Sequence, residues 1–335
     1  MLRTYQKGII PNVLSDNSTP ETNEKLEATI SLQKNGKSFY WASQFLGREM
    51  AKKASKLYAF CRILDDMADG DIKDGPARLT HMQQKLRQKT GVSDPVLEEF
   101  LPFIDELKLP KQAVTDLIEG LLQDQKQVLF KSEAELIQYS YHVAGTVGWM
   151  MCPLLKCKNN NACAFALDLG IAMQLTNIAR DVYEDACMGR RYLPSNWVDN
   201  LSPSQIVEAA TDPNSKNATV IKQAILTLLK LADTYYNSGV KGLVSLPWKT
   251  HLAIGIAAFV YRRIGIQLRQ NQVNWYDGRT VTSYFAKFQS SCAALFLLFA
   301  RFKTLPKHDK KLHQPLSEKA DKAKKAEKAE KLDFS

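Results

Sequence analysis

The sequence predicts an all-α protein with one main domain, and three observations carry that prediction. From about Lys25 to Phe302 apolar residues recur at three and four positions, while strand-like alternation is scarce. Gly (16) and Pro (13) are sparse for 335 residues, which argues against turn-dense all-β, collagen-like and low-complexity classes. The interruptions that do occur fall at clusters of Gly, Pro, Asn and Asp, the residues that end helices.

Taken in order, residues 1–24 are polar, contain Pro11 and Pro20, and read as a loose leader. The helical domain is expected over 25–303. Its breaks fall near Gly70–Pro76, Gly91–Pro95, Leu109–Pro110, Lys156–Asn161, Gly189–Pro203, Asp212–Asn217 and Val244–Trp248. They divide the domain into about eight to ten helices, with no fixed-period repeat. Residues 304–335 read as a Lys/Ala/Glu-rich charged tail, with high helix propensity but too little apolar surface to pack.

Composition narrows the function classes. Half of the net charge of +10 lies in residues 301–335, which hold 11 Lys/Arg against 6 Asp/Glu. The expected state of that stretch is a solvated, partly helical tail, with contact to an anionic membrane as the weaker reading. Nucleic-acid binding is not expected, because beyond Lys303 the only aromatic residue is Phe334. No apolar run reaches the roughly 18 residues of a membrane-spanning helix, and Met1–Lys7 does not lead into a secretory signal. The six cysteines form no C-x-x-C pair and have no His at ligand spacing, so a zinc site is not expected and a reducing, cytoplasmic setting is.

Two segments carry chemistry. Tyr58, Arg62, Asp65 and Asp69 are spaced by 4, 3 and 4, which places them on one helical face beside Leu57, Phe60, Cys61, Leu64 and Ala68. Gln174, Asn177, Asp181 and Asp185 are spaced by 3, 4 and 4, again flanked by apolar residues. Carboxylates one turn apart repel, so a sheltered position requires cations. Hard divalent ions such as Mg²⁺ accept oxygen ligands and keep waters and substrate phosphates as the remainder. Facing each other, the two stripes would cage a diphosphate. One D-x-x-x-D alone proves little, since Arg62 can simply pair with Asp65 or Asp66 on a solvated face. The second stripe, again beside an arginine (Arg180), adds weight to the metal reading.

The strings Leu57-Tyr58-Ala59-Phe60-Cys61-Arg62-Ile63-Leu64-Asp65-Asp66-Met67-Ala68-Asp69 and Gln174-Leu175-Thr176-Asn177-Ile178-Ala179-Arg180-Asp181-Val182-Tyr183-Glu184-Asp185 resemble the phytoene synthase / squalene synthase family. So do Lys37–Ala42, Tyr139–Gly148 and Gly189–Pro194, five blocks in the family's order between about Gly36 and Tyr261. The resemblance implies an isoprenoid synthase fold, a single helical domain around a central cavity, and head-to-head condensation of two prenyl diphosphates. It implies Mg²⁺ or Mn²⁺ held by Asp65 and Asp69 on one side and Asn177, Asp181 and Asp185 on the other. Lys37, Ser38, Arg62 and Arg180 resemble the family's diphosphate-contacting residues. Gln174 would line the centre of the cavity, and Tyr58, Tyr139 and Tyr261 would lie near the diphosphates or the reacting carbons. With Arg62 and Arg180 these form the implied catalytic set.

Departures are confined to Asn35-Gly36, where many members have His or Ser, to Gly47, a common proline position, and to the tail. The tail lacks the hydrophobic anchor of eukaryotic squalene synthases, which favours a bacterial-type, phytoene-forming member. That reading implies two C20 geranylgeranyl diphosphates and no NADPH, with peripheral contact at the inner face of a membrane because substrate and product are greasy. The alternatives are a presqualene diphosphate, squalene or dehydrosqualene synthase acting on C15 farnesyl diphosphate; a head-to-tail prenyltransferase or terpene cyclase; and a non-enzymatic helical interaction protein.

Overall fold

The computed structural model describes residue 33 and residues 36–88 and 94–317. The predicted leader and the tail beyond residue 317 lie outside the described residues. Thirteen α-helices run along the described chain, and the only β feature among the described residues is a parallel bridge between Leu129 and Arg191. They are α1 (Lys37–Ser43), α2 (Arg48–Ala68), α3 (Gly75–Gln88), α4 (Pro95–Leu107), α5 (Lys111–Gln123) and α6 (Glu133–Ser140). A π-helical turn (Tyr141–Gly145) leads into α7 (Thr146–Leu154), α8 (Cys163–Arg180) and α9 (Val182–Cys187). There follow α10 (Pro203–Ala209), α11 (Lys216–Gly239), α12 (Trp248–Gln270) and α13 (Tyr284–Leu295).

The all-α prediction holds, but the helices outnumber the eight to ten expected: further breaks fall at Gly47 and Gly278, and others, at 124–132 and Asp181, contain neither Gly nor Pro. The Tyr139–Gly148 block widens into the π turn, a local defect common at functional sites. α8 ends at Asp181, whose backbone (φ −104°, ψ 17°) leaves the helical region, although Asp185 N still donates to Asp181 O at 2.8 Å.

α8 is the central strut. Phe165, Asp168 and every residue from Leu169 to Ala179 are buried, so no face of this stretch is left for solvent. α7, the π turn, α11 and α12 pack around it. Close approach is enforced by glycine: a Cβ on Gly148 would lie 2.2 Å from Ala166 O, and one on Gly170 2.3 Å from Ala144 O. These are helix-packing glycines, with no room for a side chain.

The apolar core has two lobes, one centred on α8, α11 and α12 and one built from α2, α3, α4 and α5. In the second lobe Phe60 stacks on Phe100 with ring centroids 3.6 Å apart. The first predicted polar stripe lies on α2 with Asp69 as its C-cap; the second is split, with Gln174 and Asn177 on α8, Asp181 at the junction and Asp185 on α9.

The tail differs from expectation where it is described. Leu312 and Leu316 pack on the first lobe, Tyr235 Oη donates to Leu312 O at 2.8 Å, and Gln138 Nε2 donates to Pro315 O at 2.8 Å. Residues 308–316 are therefore a strap on the body, and a solvated tail beginning at 304 does not describe them. Composition hid this because Leu312 and Leu316 are isolated among lysines.

Candidate functional site

On α2, Tyr58 and Asp65 are buried while Arg62 and Asp69 are partly covered. Arg62 Nη1 donates to Asp65 Oδ2 at 3.0 Å, and its Nη2 pairs with Asp66. The simple pairing of Arg62 with its acidic neighbours is real, yet its side chain is only 12% exposed and that of Asp65 10%. The stripe is not a solvated face.

On α8, Gln174 and Asn177 are buried, with Asn177 Nδ2 3.5 Å from Gln174 Oε1. Asp181 receives two guanidiniums. Arg180 donates from Nε to Oδ1 (2.7 Å) and from Nη2 to Oδ2 (2.6 Å). Arg279 donates from Nε to Oδ1 (2.9 Å) and from Nη2 to Oδ2 (2.8 Å). Burial pushes the Asp181 carboxyl up, but these hydrogen bonds and charges outweigh it and hold the group below the ordinary carboxylate value. For Arg180, burial disfavours the charge, and Asp181 more than restores it.

The stripes converge. Asp65, Tyr139, Gln174, Asn177, Arg180, Asp181 and Asp185 all line one polar cavity. Of the α2 stripe Asp65 lines it while Tyr58, Arg62 and Asp69 do not; Asp69 Oδ1 lies 3.9 Å from Arg190 Nη2 of the loop after α9. An apolar cavity adjoins it, walled by α1, α2, α7, α8 and α12 and by small residues such as Gly148, Gly170, Gly239 and Gly242. Cys61 and Val147 line both cavities, so the polar and apolar chambers meet there.

The tyrosines take separate positions. Tyr139 Oη donates to Asp124 Oδ2 at 2.8 Å, and Tyr192 Oη to Asp124 Oδ1 at 3.0 Å. Tyr58 lines the apolar chamber; its hydroxyl has no hydrogen-bond partner among the described residues, and burial raises its phenol well above the ordinary value. Tyr261 packs on Phe39, centroids 4.9 Å apart, and burial pushes its phenol up to about 12 while Arg180 and Arg279 pull the other way. Lys37 and Ser38 are on α1, and no hydrogen bond or ion pair among the described residues joins them to the acidic cluster. The charge of Lys37 instead acts on Lys287 of α13, whose ammonium burial and that charge both depress.

The donors fit a hard divalent ion. The carboxylates of Asp65, Asp69, Asp181 and Asp185 offer only oxygen, and Asn177 Oδ1 is buried without a partner among the described residues, an arrangement that a cation would satisfy. Sequence reasoning missed Asp124, Tyr192 and Arg279. Asp124 and Arg279 stand outside regular helix, where no periodicity marks them, and Tyr192 lies in the Gly189–Pro194 block, which resemblance flagged only as a whole.

Residues 32–285 match the squalene/phytoene synthase family. The chain is 33% identical to the 15-cis-phytoene synthase of Paracoccus sp. (strain N81106 / MBIC 01143) over 273 residues, covering 78% of this chain and 88% of that protein. It is 30% identical to the 15-cis-phytoene synthase of Pantoea ananas, covering 76% and 86%. A crystal structure of a dehydrosqualene synthase superposes with a TM-score of 0.73 at 27% identity, covering 83% of this chain and 98% of that one. The squalene synthase HpnC from Alicyclobacillus acidocaldarius shares the fold with a TM-score of 0.63.

Proposed function

The chain belongs to the squalene/phytoene synthase family, an all-α prenyltransferase of isoprenoid synthase fold that joins prenyl diphosphates head to head, and we propose that it condenses two geranylgeranyl diphosphates to phytoene through a cyclopropyl diphosphate. The observation that carries this reading is the paired chamber. Oxygen donors from α2, α8 and α9 line a chamber with Arg180, and that chamber shares Cys61 and Val147 with an apolar cavity. A diphosphate head and a polyprenyl tail need those two environments side by side. The relatives named as 15-cis-phytoene synthases favour the C20 substrate.

In this reading Asp65, Asp69, Asn177, Asp181 and Asp185 hold Mg²⁺ or Mn²⁺. The ions, when bound, would neutralise the diphosphates and favour their departure. Arg62, Arg180 and Arg279 supply charge-assisted donors to the same oxygens, with Lys37 and Ser38 assigned to the second head group. The double bond of one chain attacks the allylic cation of the other, and proton loss closes the cyclopropane. A second ionisation rearranges it to the 1-1′ linked chain, and a final proton loss forms the central double bond. Tyr58, Tyr139 and Tyr261 offer π-faces to the cations. Gln174 stands between head groups and hydrocarbon, and the apolar wall excludes water that would quench the cations.

No described helix is long and apolar enough to cross a membrane. We assign peripheral contact with an anionic lipid surface to α13 and the following turn (Phe296–Phe302). Tyr284, Phe285, Phe288, Phe296, Phe299 and Phe302 are all exposed there, Phe302 at 91%. Lys249, Arg301, Lys303 and Lys307 flank them with positive charge. α13 packs on α12, whose Ala253, Ile254 and Ala257 line the apolar chamber, so the greasy face lies one helix from the greasy product.

The reading is tested by incubating purified protein and Mg²⁺ with geranylgeranyl or farnesyl diphosphate, with and without NADPH, and identifying products by mass spectrometry. A C40 hydrocarbon from the C20 donor without NADPH is expected. A C30 product or presqualene diphosphate from the C15 donor alone would move the assignment to a squalene-type enzyme. Turnover surviving in Asp181→Ala would overturn the metal cage itself.

A further inference from the structure

The strap over α8 is fastened by two histidines. Asp168, on α8, is completely buried, and its carboxylate oxygens face one imidazole each: His313 Nε2 is 2.7 Å from Oδ1, and His308 Nε2 is 2.8 Å from Oδ2. The two rings lie with centroids 4.4 Å apart, and Phe165 meets His308 edge-on at 5.0 Å. The potential ligand atoms of all three side chains lie within 4.8 Å of one another, and among the described residues this is the one His/Cys/Asp/Glu group that meets that condition. None of the three takes part in the diphosphate site. Asp168 stands six residues before Gln174, about 9 Å along the helix axis.

We propose that Asp168, His308 and His313 form a second metal site, specific for a zinc-class ion, which clasps residues 308–316 onto the helix that carries Gln174 and Asn177. Two imidazole nitrogens and one carboxylate are a recurrent three-ligand zinc set, with the fourth position left for water. Bonds of about 2.0–2.2 Å to a tetrahedral ion place ligand atoms about 3.4 Å apart, so small rotations of these side chains suffice. Nitrogen donors discriminate against Mg²⁺, which prefers oxygen and keeps its waters. The two sites therefore select different ions in one chain. Burial points the same way: the Asp168 side chain is wholly shielded from solvent, and a divalent ion would offset the cost of a carboxylate held there. Leu312 and Leu316 pack on the first lobe, and Tyr235 and Gln138 donate hydrogen bonds to the segment's backbone, so a metal clasp would add to contacts already fixing it there. The sequence hides the site, since the histidines follow Asp168 by 140 and 145 residues.

The test uses untagged, full-length protein stripped with chelator, returned to millimolar Mg²⁺, and titrated with Zn²⁺ or Co²⁺. Elemental analysis after gel filtration is expected to find one zinc per chain. Co²⁺ is expected to give visible ligand-field bands, and either ion to raise Tm. His308→Gln and His313→Gln keep an amide that can reach Asp168 but remove the nitrogen ligand. Each is expected to weaken Zn²⁺ binding by at least about tenfold, with a native near-ultraviolet circular dichroism spectrum. Asp181→Asn is expected to keep the zinc, which separates this site from the diphosphate cage. Absence of stoichiometric uptake by the wild type, or equal uptake by the folded double Gln variant, would overturn the proposal and leave a hydrogen-bonded clasp.

Discussion

Arg279 grips Asp181 across 98 residues of chain, Nε to Oδ1 at 2.9 Å and Nη2 to Oδ2 at 2.8 Å, on the same oxygens that Arg180 occupies. Two guanidiniums on one carboxylate leave surplus positive charge where the proposed diphosphate would arrive. Arg279→Ala is expected to lower kcat/KM by about 10²-fold, the scale for removing one preorganised charged donor. Arg279→Lys is expected to recover only part of it, because an ammonium cannot reproduce the two-pronged geometry. Steady-state kinetics on folded protein decides; wild-type turnover in the Ala variant would remove Arg279 from the site.

Asp124 holds two phenols at once, Tyr139 at 2.8 Å and Tyr192 at 3.0 Å, with the hydroxyls 3.4 Å from each other. Asp124→Ala removes the acceptor that both buried hydroxyls share, at a cost of about 1–3 kcal/mol. A lower Tm and reduced turnover are expected together. Tyr139→Phe removes one hydroxyl and keeps the ring. If Tyr139 serves through its π-face, this variant keeps most of kcat; a collapse of kcat at unchanged Tm would assign the role to the hydroxyl instead.

These two relationships mark what was legible in the sequence. The stripes on α2 and on α8 and α9 were readable because helical periodicity fixes which side chains share a face, and Asp65, Gln174, Asn177, Asp181 and Asp185 do line one cavity. Arg279, Asp124 and the histidine pair on Asp168 were not, because tertiary folding brings them in from turns and from a lysine-rich segment. Lys37 and Ser38 came from resemblance alone, and they stand on α1 without an ion pair or hydrogen bond to the acidic residues among the described residues. The breaks at Leu109–Pro110 and Val244–Trp248 fall where α5 and α12 begin, since Pro and its neighbours set local backbone geometry. The π turn and the kink at Asp181 carry no such signature.

Asp94 supplies a pH-dependent stability term remote from the proposed chemistry. It caps α4 by accepting from Val96 N at 3.0 Å, and it takes Arg78 on both oxygens, at 2.8 and 3.1 Å. Burial raises its carboxyl, but Arg78 and the helix N-terminus outweigh that and hold it below the ordinary value. A depressed folded pKa contributes stability that is complete above the unfolded value of about 4 and is lost as pH falls through the folded one. Asp94→Asn is therefore expected to lower Tm near neutral pH by the equivalent of about 1–2 kcal/mol. The deficit should shrink as pH approaches 3. An equal deficit at pH 7 and pH 3 would show that the charge contributes nothing and only the cap matters.

The aromatic face of α13 makes the last prediction. Phe285, Phe288 and Phe299 are exposed, and burying an aromatic side chain in the interfacial region of a bilayer stabilises binding by about 1.5–3 kcal/mol if fully desolvated. Replacing all three by Ser is expected to shift the protein from the floating to the soluble fraction in flotation with anionic phosphatidylglycerol vesicles. Zwitterionic vesicles should bind the wild type more weakly, because Arg301, Lys303 and Lys307 then lose their counter-charge. Turnover in detergent should survive the triple substitution, since none of these side chains lines the polar or apolar chamber. Two outcomes go against the lipid assignment. Unchanged flotation would mean that binding resides elsewhere, and a concentration-dependent dimer of the wild type that the substitutions dissolve would mean that a second copy of the chain covers this face.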